Sequence, residues 1–123
     1  MVTGIGVDLI EVERVVKACK KDSFLKKYYT DREIELIQID INKAADNFAV
    51  KEAVAKMLGT GFRTFLPREV EVLRDSLGKP YVTLHGKAAK LGASQGLTDI
   101  HVSISNTKEY ANAFVIGENN ANI

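Results

Sequence analysis

Hydrophobic and polar positions change period several times along the chain, and each change marks an element. Residues 2–9 alternate, with Ile5, Val7 and Leu9 on one side and Gly4, Gly6 and Asp8 on the other, the period of a strand. The pattern predicts a buried apolar side and a glycine side with room for something to approach Asp8. From Glu11 the spacing turns helical: Val12, Val15, Val16 and Cys19 fall at i, i+3, i+4 and i+7, with Arg14, Lys17 and Lys21 on the other side. Thr30-Asp31-Arg32-Glu33 matches a capping box and opens a short helix through Ile34 and Ile37. Residues 44–58, "AADNFAVKEAVAKML", carry the strongest helical pattern, with Gly59 as its stop. Apolar side chains run nearly all round that helix, so burial on several sides is expected. Glu52 and Lys56, one turn apart, are its unusual charges.

The second half reads as two hairpins separated by a helix. Residues 69–85 give two strands around a turn at Ser76–Pro80, and a short helix over 87–95 ends at Gly96. Two more strands flank Asn106–Glu109, with Ile100, Val102 and Ile104 facing one way and His101, Ser103 and Ser105 the other. The small residues Ala111 and Ala113 and the helix over 44–58 are compatible with a subunit interface. The tail, 119–123, is polar and expected to fray. The order β-α-α-α-β-β-α-β-β, with sequential strands in hairpins, indicates one α+β domain over 1–118, a mainly antiparallel sheet with packed helices.

Composition narrows the class without naming a function. The chain has 123 residues, 46% hydrophobic and 27% charged, an ordinary globular balance. No apolar run approaches the ~20 residues of a membrane helix, and no secretory signal is visible, so a cytoplasmic protein without a membrane partner is expected. Cys19 is the only cysteine, which rules out an internal disulfide and a multi-cysteine metal site. A net charge of +1 does not mark a nucleic-acid binder. The charge is uneven, however: residues 14–27 carry +5 against −4 elsewhere. Such a segment suits either an acidic partner or a solvated helix face, and composition leaves both open.

Asp8 and Glu52 are the acids set among apolar neighbours, and a buried carboxylate needs a cation, a donor or a raised pKa. Either each pairs with Lys or Arg, or the two share a divalent ion. Mg²⁺ takes one or two carboxylates and completes its shell with water and phosphate oxygens. Lys56 would then serve as a point charge for phosphate. "GTG" at 59–61 follows a helix instead of opening one, so it is no P-loop. His85 and His101 lack zinc-ligand spacing, and Ser103 and Ser105 have no triad partners in the pattern.

"GIGVDLIEVER", "NFAVKEAVAKMLGTG", "LRDSLGKPYVTLHG" and "HVSISNTKEYANAFVI" occur in the order found in the bacterial holo-acyl-carrier-protein synthases, the small phosphopantetheinyl transferases. The chain resembles that family from residue 2 to about 118. The resemblance implies a phosphopantetheinyl transferase-like fold. It also implies a Mg²⁺-dependent transfer of 4'-phosphopantetheine from coenzyme A to a serine of apo-acyl carrier protein, with release of adenosine 3',5'-bisphosphate, in support of fatty acid biosynthesis. By position, Asp8 and Glu52 resemble the metal ligands and Lys56 the lysine that holds phosphates. Gly59, Thr60, Gly61, Pro80 and the turn at Ser105, Asn106 and Thr107 resemble the surroundings of the nucleotide. Arg14, with Lys17 and Lys21, resembles the helix face that meets the carrier protein. A homotrimer with sites shared between subunits is implied too. Either Glu52 or a water on the metal would take the serine proton. Relatives commonly read S-[IV]-[ST]-H where this chain has "SISN", so Asn106 replaces a histidine. The alternative implied by that departure is a catalytically weak homologue that binds carrier protein or nucleotide without efficient turnover.

Overall fold

The computed structural model describes residues 1–121. Strand β1 (Val2–Glu11) passes directly into helix α1 (Val12–Ala18), followed by α2 (Asp22–Tyr28), α3 (Asp31–Ile39) and the long α4 (Asn42–Leu58). Two short 3-10 turns, Gly61–Arg63 and Pro67–Glu69, lead into β2 (Val70–Arg74) and β3 (Pro80–Leu84). Helix α5 (Gly86–Ser94) then precedes β4 (Asp99–Asn106) and β5 (Tyr110–Glu118). All strand pairs are antiparallel: β5 lies between β1 and β4, while β2 and β3 form a separate ribbon. The α+β class holds, with the sheet in two parts and one helix more than the sequence pattern suggested. Helix α2 is under two turns long, too short for its few apolar residues to set up a visible period.

Glycines decide how α4 meets the sheet. A methyl group at Gly6 would run into the Ala53 carbonyl oxygen, and one at Gly4 into the Met57 carbonyl oxygen. Ala111, Ala113 and Val115 of β5 share this inner face and are fully buried against the Ala- and Val-rich side of α4. What approaches the glycine side is therefore the protein's own helix. The expected burial of the apolar side of β1 is overturned: Ile5 is 61% and Leu9 62% exposed. Alternation fixes which residues share a face, and the closer packing of a helix backbone on glycine decides which face turns inward. Phe114, opposite Val7 in the register, extends the outer apolar stripe. Ala111 and Ala113 belong to the interior of this chain and not to its surface.

Helix α3 opens with the expected capping box: the Glu33 N–H donates to Thr30 Oγ1 at 3.3 Å and the Thr30 N–H to Glu33 Oε1 at 3.1 Å. Glu33 does more than cap. Lys51 Nζ donates to Glu33 Oε1 at 2.7 Å, to Val70 O at 2.5 Å and to Pro67 O at 3.1 Å. Asn47 Nδ2 donates to Glu33 Oε2 at 3.0 Å and to Val72 O at 2.9 Å. This network ties α3, α4 and β2 together in the core. Burial pushes the Glu33 carboxyl up and the Lys51 ammonium down, and each partner's charge opposes the shift of the other.

Gly59 caps α4 in the left-handed conformation, with φ of 85°, as its position after the periodic run predicts. The start of the tail is tied down, contrary to the expectation of fraying. The Asn119 N–H donates to Met1 O at 2.7 Å, and the Asn120 N–H to Thr98 Oγ1 at 2.8 Å. Residues 122–123 of the tail lie outside the described residues. No helix among the described residues is long and apolar enough to cross a membrane.

Candidate active site

Asp8 continues the inward series of Gly4 and Gly6, so the strand register carries its side chain towards α4. Lys56 Nζ reaches it there, donating to Asp8 Oδ1 at 2.9 Å and to Val7 O at 3.0 Å. The Asp8 side chain is largely covered, whereas Lys56 is open to solvent. Asn112 Nδ2 donates to the Asp8 carbonyl at 3.0 Å and fixes the strand at this point. Glu52, one turn before Lys56, is half-buried. Burial lifts its carboxyl above the ordinary value, the Asp8 charge lifts it further, and Lys56 partly offsets both. Two carboxylates and one ammonium leave the site with a surplus of one negative charge.

Among the described residues, no group of three or more His, Cys, Asp or Glu side chains is gathered around a point. The donors present are hard oxygens, two in number and partly open to solvent. That set fits Mg²⁺, which keeps several waters and takes phosphate oxygens, and it does not fit a structural zinc.

A second group forms at the other end of α4. A cleft of about 390 Å³ is lined by Lys43, Asp46, Arg74, Lys79, Pro80 and Asn106, among others. Asn106 is the next inward position of β4 after Ile104, and its Nδ2 donates to Asp46 Oδ1 at 2.9 Å and Oδ2 at 3.1 Å. Among the described residues, Arg74 Nη1 reaches only the carbonyl of Leu73, at 3.3 Å, and its buried Nη2 has no partner. Burial pushes the Arg74 guanidinium down, against the pull of the Asp46 and Glu33 charges. Lys43, Asp46, Arg74 and Lys79 were missed in the sequence. Asp46 carried a signal, being an acid in the apolar run of α4 like Glu52.

The nucleotide residues implied by the family resemblance do not all meet. Gly59, Thr60 and Gly61 sit at the C-terminal end of α4, where Arg63 Nε donates to Thr60 O at 2.9 Å. At about 1.5 Å rise per residue, roughly 20 Å of helix separates Asp46 from Gly59. Within one chain, therefore, Lys56 and the 59–61 turn lie apart from the Pro80 and Asn106 cleft. Ser105 is on the outer face of the sheet, across from Asn112. The Thr107 hydroxyl is used in the β4–β5 turn, where it accepts from the Tyr110 N–H at 3.0 Å and the Glu109 N–H at 3.3 Å.

A third feature is a groove of about 430 Å³ between β1, α1 and α4, lined by Leu9, Ile10, Arg14, Val15, Phe24 and Phe48 among others. Phe24 stacks on Tyr28 with ring centroids 4.4 Å apart, and Tyr28 stacks on Phe48 at 5.6 Å. Arg14 is exposed at its rim and makes only a loose 3.8 Å contact with Glu11. Lys17 and Lys21 are exposed as well, outside the lining of this groove.

Residues 4–117 match the model of the 4'-phosphopantetheinyl transferase superfamily. The chain belongs to that superfamily. A holo-[acyl-carrier-protein] synthase of Lachnoclostridium phytofermentans is 60% identical over 118 residues, which cover 96% of this chain and 97% of the relative. That of Halothermothrix orenii is 42% identical, with 96% and 98% covered. The solved structure of the Neisseria meningitidis synthase superposes with a TM-score of 0.87 at 31% identity, covering 96% of this chain and 99% of that one. The Helicobacter pylori synthase, solved in complex with coenzyme A, gives 0.83 at 26% identity, covering 93% and 99%. Within the phosphopantetheinyl transferases this chain is thus an enzyme of the holo-[acyl-carrier-protein] synthase group.

Proposed function

We propose that this enzyme transfers 4'-phosphopantetheine from coenzyme A to a serine of apo-acyl carrier protein in a Mg²⁺-dependent reaction that releases adenosine 3',5'-bisphosphate. The observation that carries the reading is the convergence of Asp8, Glu52 and Lys56, two carboxylates and an ammonium from distant parts of the chain. Asp8 and Glu52 would hold the ion, and the solvent-open Lys56 would neutralise phosphate oxygens. When bound, Mg²⁺ supplies charge stabilisation for the pyrophosphate and its leaving phosphate. Glu52, lifted above the ordinary carboxylate value by burial, is the candidate proton acceptor for the serine hydroxyl. Arg14 at the rim of the aromatic groove, with the basic surface of α1 and α2, suits an acidic carrier protein. Such a role serves fatty acid biosynthesis in the cytoplasm.

A homotrimer is part of the proposal. The outer face of the three-stranded sheet shows Ile5, Val7, Leu9 and Phe114 to solvent, an apolar stripe larger than scattered surface residues need. The separation of Lys56 from the Pro80 and Asn106 cleft along α4 supports a nucleotide site completed by a neighbouring copy. The test is direct. Incubation with coenzyme A, Mg²⁺ and apo-acyl carrier protein should add one phosphopantetheine to the carrier, read by mass spectrometry, and excess chelator should stop it. No added mass with metal present would reject the reading in favour of a homologue that binds without turnover.

A further inference from the structure

The Asp46–Asn106 contact sets what the cleft at that end of α4 can recognise. A carboxylate has only acceptors, so the side-chain amide of Asn106 must turn its Nδ2 towards Asp46, and the two contacts of 2.9 and 3.1 Å share that nitrogen between both oxygens. Asp46 is itself buried, at 5% exposure, on the rigid α4. Asn106 is exposed at the edge of the cleft, and its Oδ1 is the polar atom left over. The N–H donor of the Asn106 side chain is thus already used. Lys43, Arg74 and Lys79 in the same cleft are the cations available for phosphate, and the negative charge of Asp46 disfavours phosphate beside Asn106.

The geometry points to Asp46 as a positioning residue that locks Asn106 as a hydrogen-bond acceptor, so that this corner of the cleft takes an N–H group of the nucleotide and excludes a phosphate. The inference rests on the transferase reading for the identity of the ligand. The amides of coenzyme A lie in its pantetheine arm, so on the nucleotide itself the adenine amino group is the N–H donor. The device needs both side chains at once. Asn106 without Asp46 can rotate its amide and present either end, while Asp46 without Asn106 leaves a bare carboxylate facing an anionic ligand.

Steady-state transfer by the full chain, with coenzyme A varied, separates the cases. Asp46→Ala and Asn106→Ala should each raise the KM for coenzyme A about 3- to 10-fold, the effect of one lost hydrogen bond, with the loss on KM and not on kcat. The double variant should be no worse than either single one, because the two act as a unit. Asp46→Asn offers Asn106 a donor as well as an acceptor, so it releases the lock and should raise KM as Asp46→Ala does. Replacing coenzyme A with an analogue that carries hypoxanthine should cost the wild-type enzyme a similar factor and the Asn106→Ala variant little. Additive single effects, a loss confined to kcat, or Asp46→Asn with the wild-type KM would overturn the proposal. The Asn106 side-chain NH₂ signals in a ¹⁵N spectrum give a readout without turnover: they should move in both Asp46→Ala and Asp46→Asn. A wild-type chain with no transfer would remove the proposed reaction, while unmoved signals in Asp46→Ala would remove the lock itself.

Discussion

Helix α4 carries two lysine–carboxylate pairs of similar length and opposite character. Lys51 and Glu33 meet at 2.7 Å with side chains 1% and 0% exposed, and Lys56 and Asp8 meet at 2.9 Å with Lys56 56% exposed. The motif K-E-A-x-x-K holds both lysines five residues apart, and a helix turns them to different surroundings. Lys51 has three acceptors around one ammonium and no route to exchange them. Lys56 has two acceptors and solvent on its other side, so its charge remains available to a ligand. Length alone does not separate a strut from a charge left open to a ligand. Burial does.

The largest effect expected from this contrast is on stability, at the buried pair. Lys51→Met leaves Glu33 without a counter-charge in the core and should cost about 3–5 kcal/mol of unfolding free energy in urea titrations. Adding Glu33→Gln should recover part of that loss, since the uncompensated charge is then gone. A single variant within about 1 kcal/mol of wild type would place Lys51 outside the framework of the fold.

The exposed pair should respond the other way round. Lys56→Met should reduce transfer by about 100-fold or more, the range seen when a charge-stabilising donor is removed from a reacting oxygen. Its unfolding free energy should change by less than about 1 kcal/mol, as for other solvent-screened ion pairs. Asp8→Asn and Glu52→Gln should fall in the same class, folded and nearly inactive. An inactive Lys56→Met that is also strongly destabilised would blur the distinction between the two pairs.

The site was more legible than the faces around it. Asp8, Glu52 and Lys56 stand out in sequence because charges in apolar runs are conspicuous, and the fold does bring them together. Capping signals also located the start of α3 and the stop of α4, at Thr30 with Glu33 and at Gly59. What failed was inside against outside for β1, because a period of two is blind to which face a helix will occupy. Lys51 and Asp46 were missed for a related reason. Each is made structural or functional by one partner distant in sequence, Glu33 in the first case and Asn106 in the second, and no local spacing encodes either meeting.

Glu71 gives the contrast an intermediate case and the smallest expected effect. Its carboxylate is buried, but one partner, His85, is about half-exposed: Thr30 Oγ1 donates to Oε2 at 2.6 Å, and His85 Nε2 lies 3.1 Å from Oε1. Burial alone would raise its pKa, yet the hydrogen bonds from Thr30 and His85 and the nearby charges of His85 and Arg32 outweigh it, leaving the carboxyl below its ordinary value of 4.5. A carboxyl depressed by folding stabilises the native state above the unfolded pKa, and that contribution is lost as pH falls through the folded value. Glu71→Gln keeps the shape and a neutral acceptor for Thr30, so at pH 7 it should be less stable than wild type by about 1 kcal/mol, the difference between a charged and a neutral hydrogen bond. The gap should persist down to about pH 4.5 and close below it, as wild-type Glu71 takes up its proton. Urea unfolding of both proteins at matched pH cancels the other carboxylates and isolates this one. A gap that widens on acidification would mean that Glu71 titrates above its ordinary value, with burial winning over its partners as it does at Glu33.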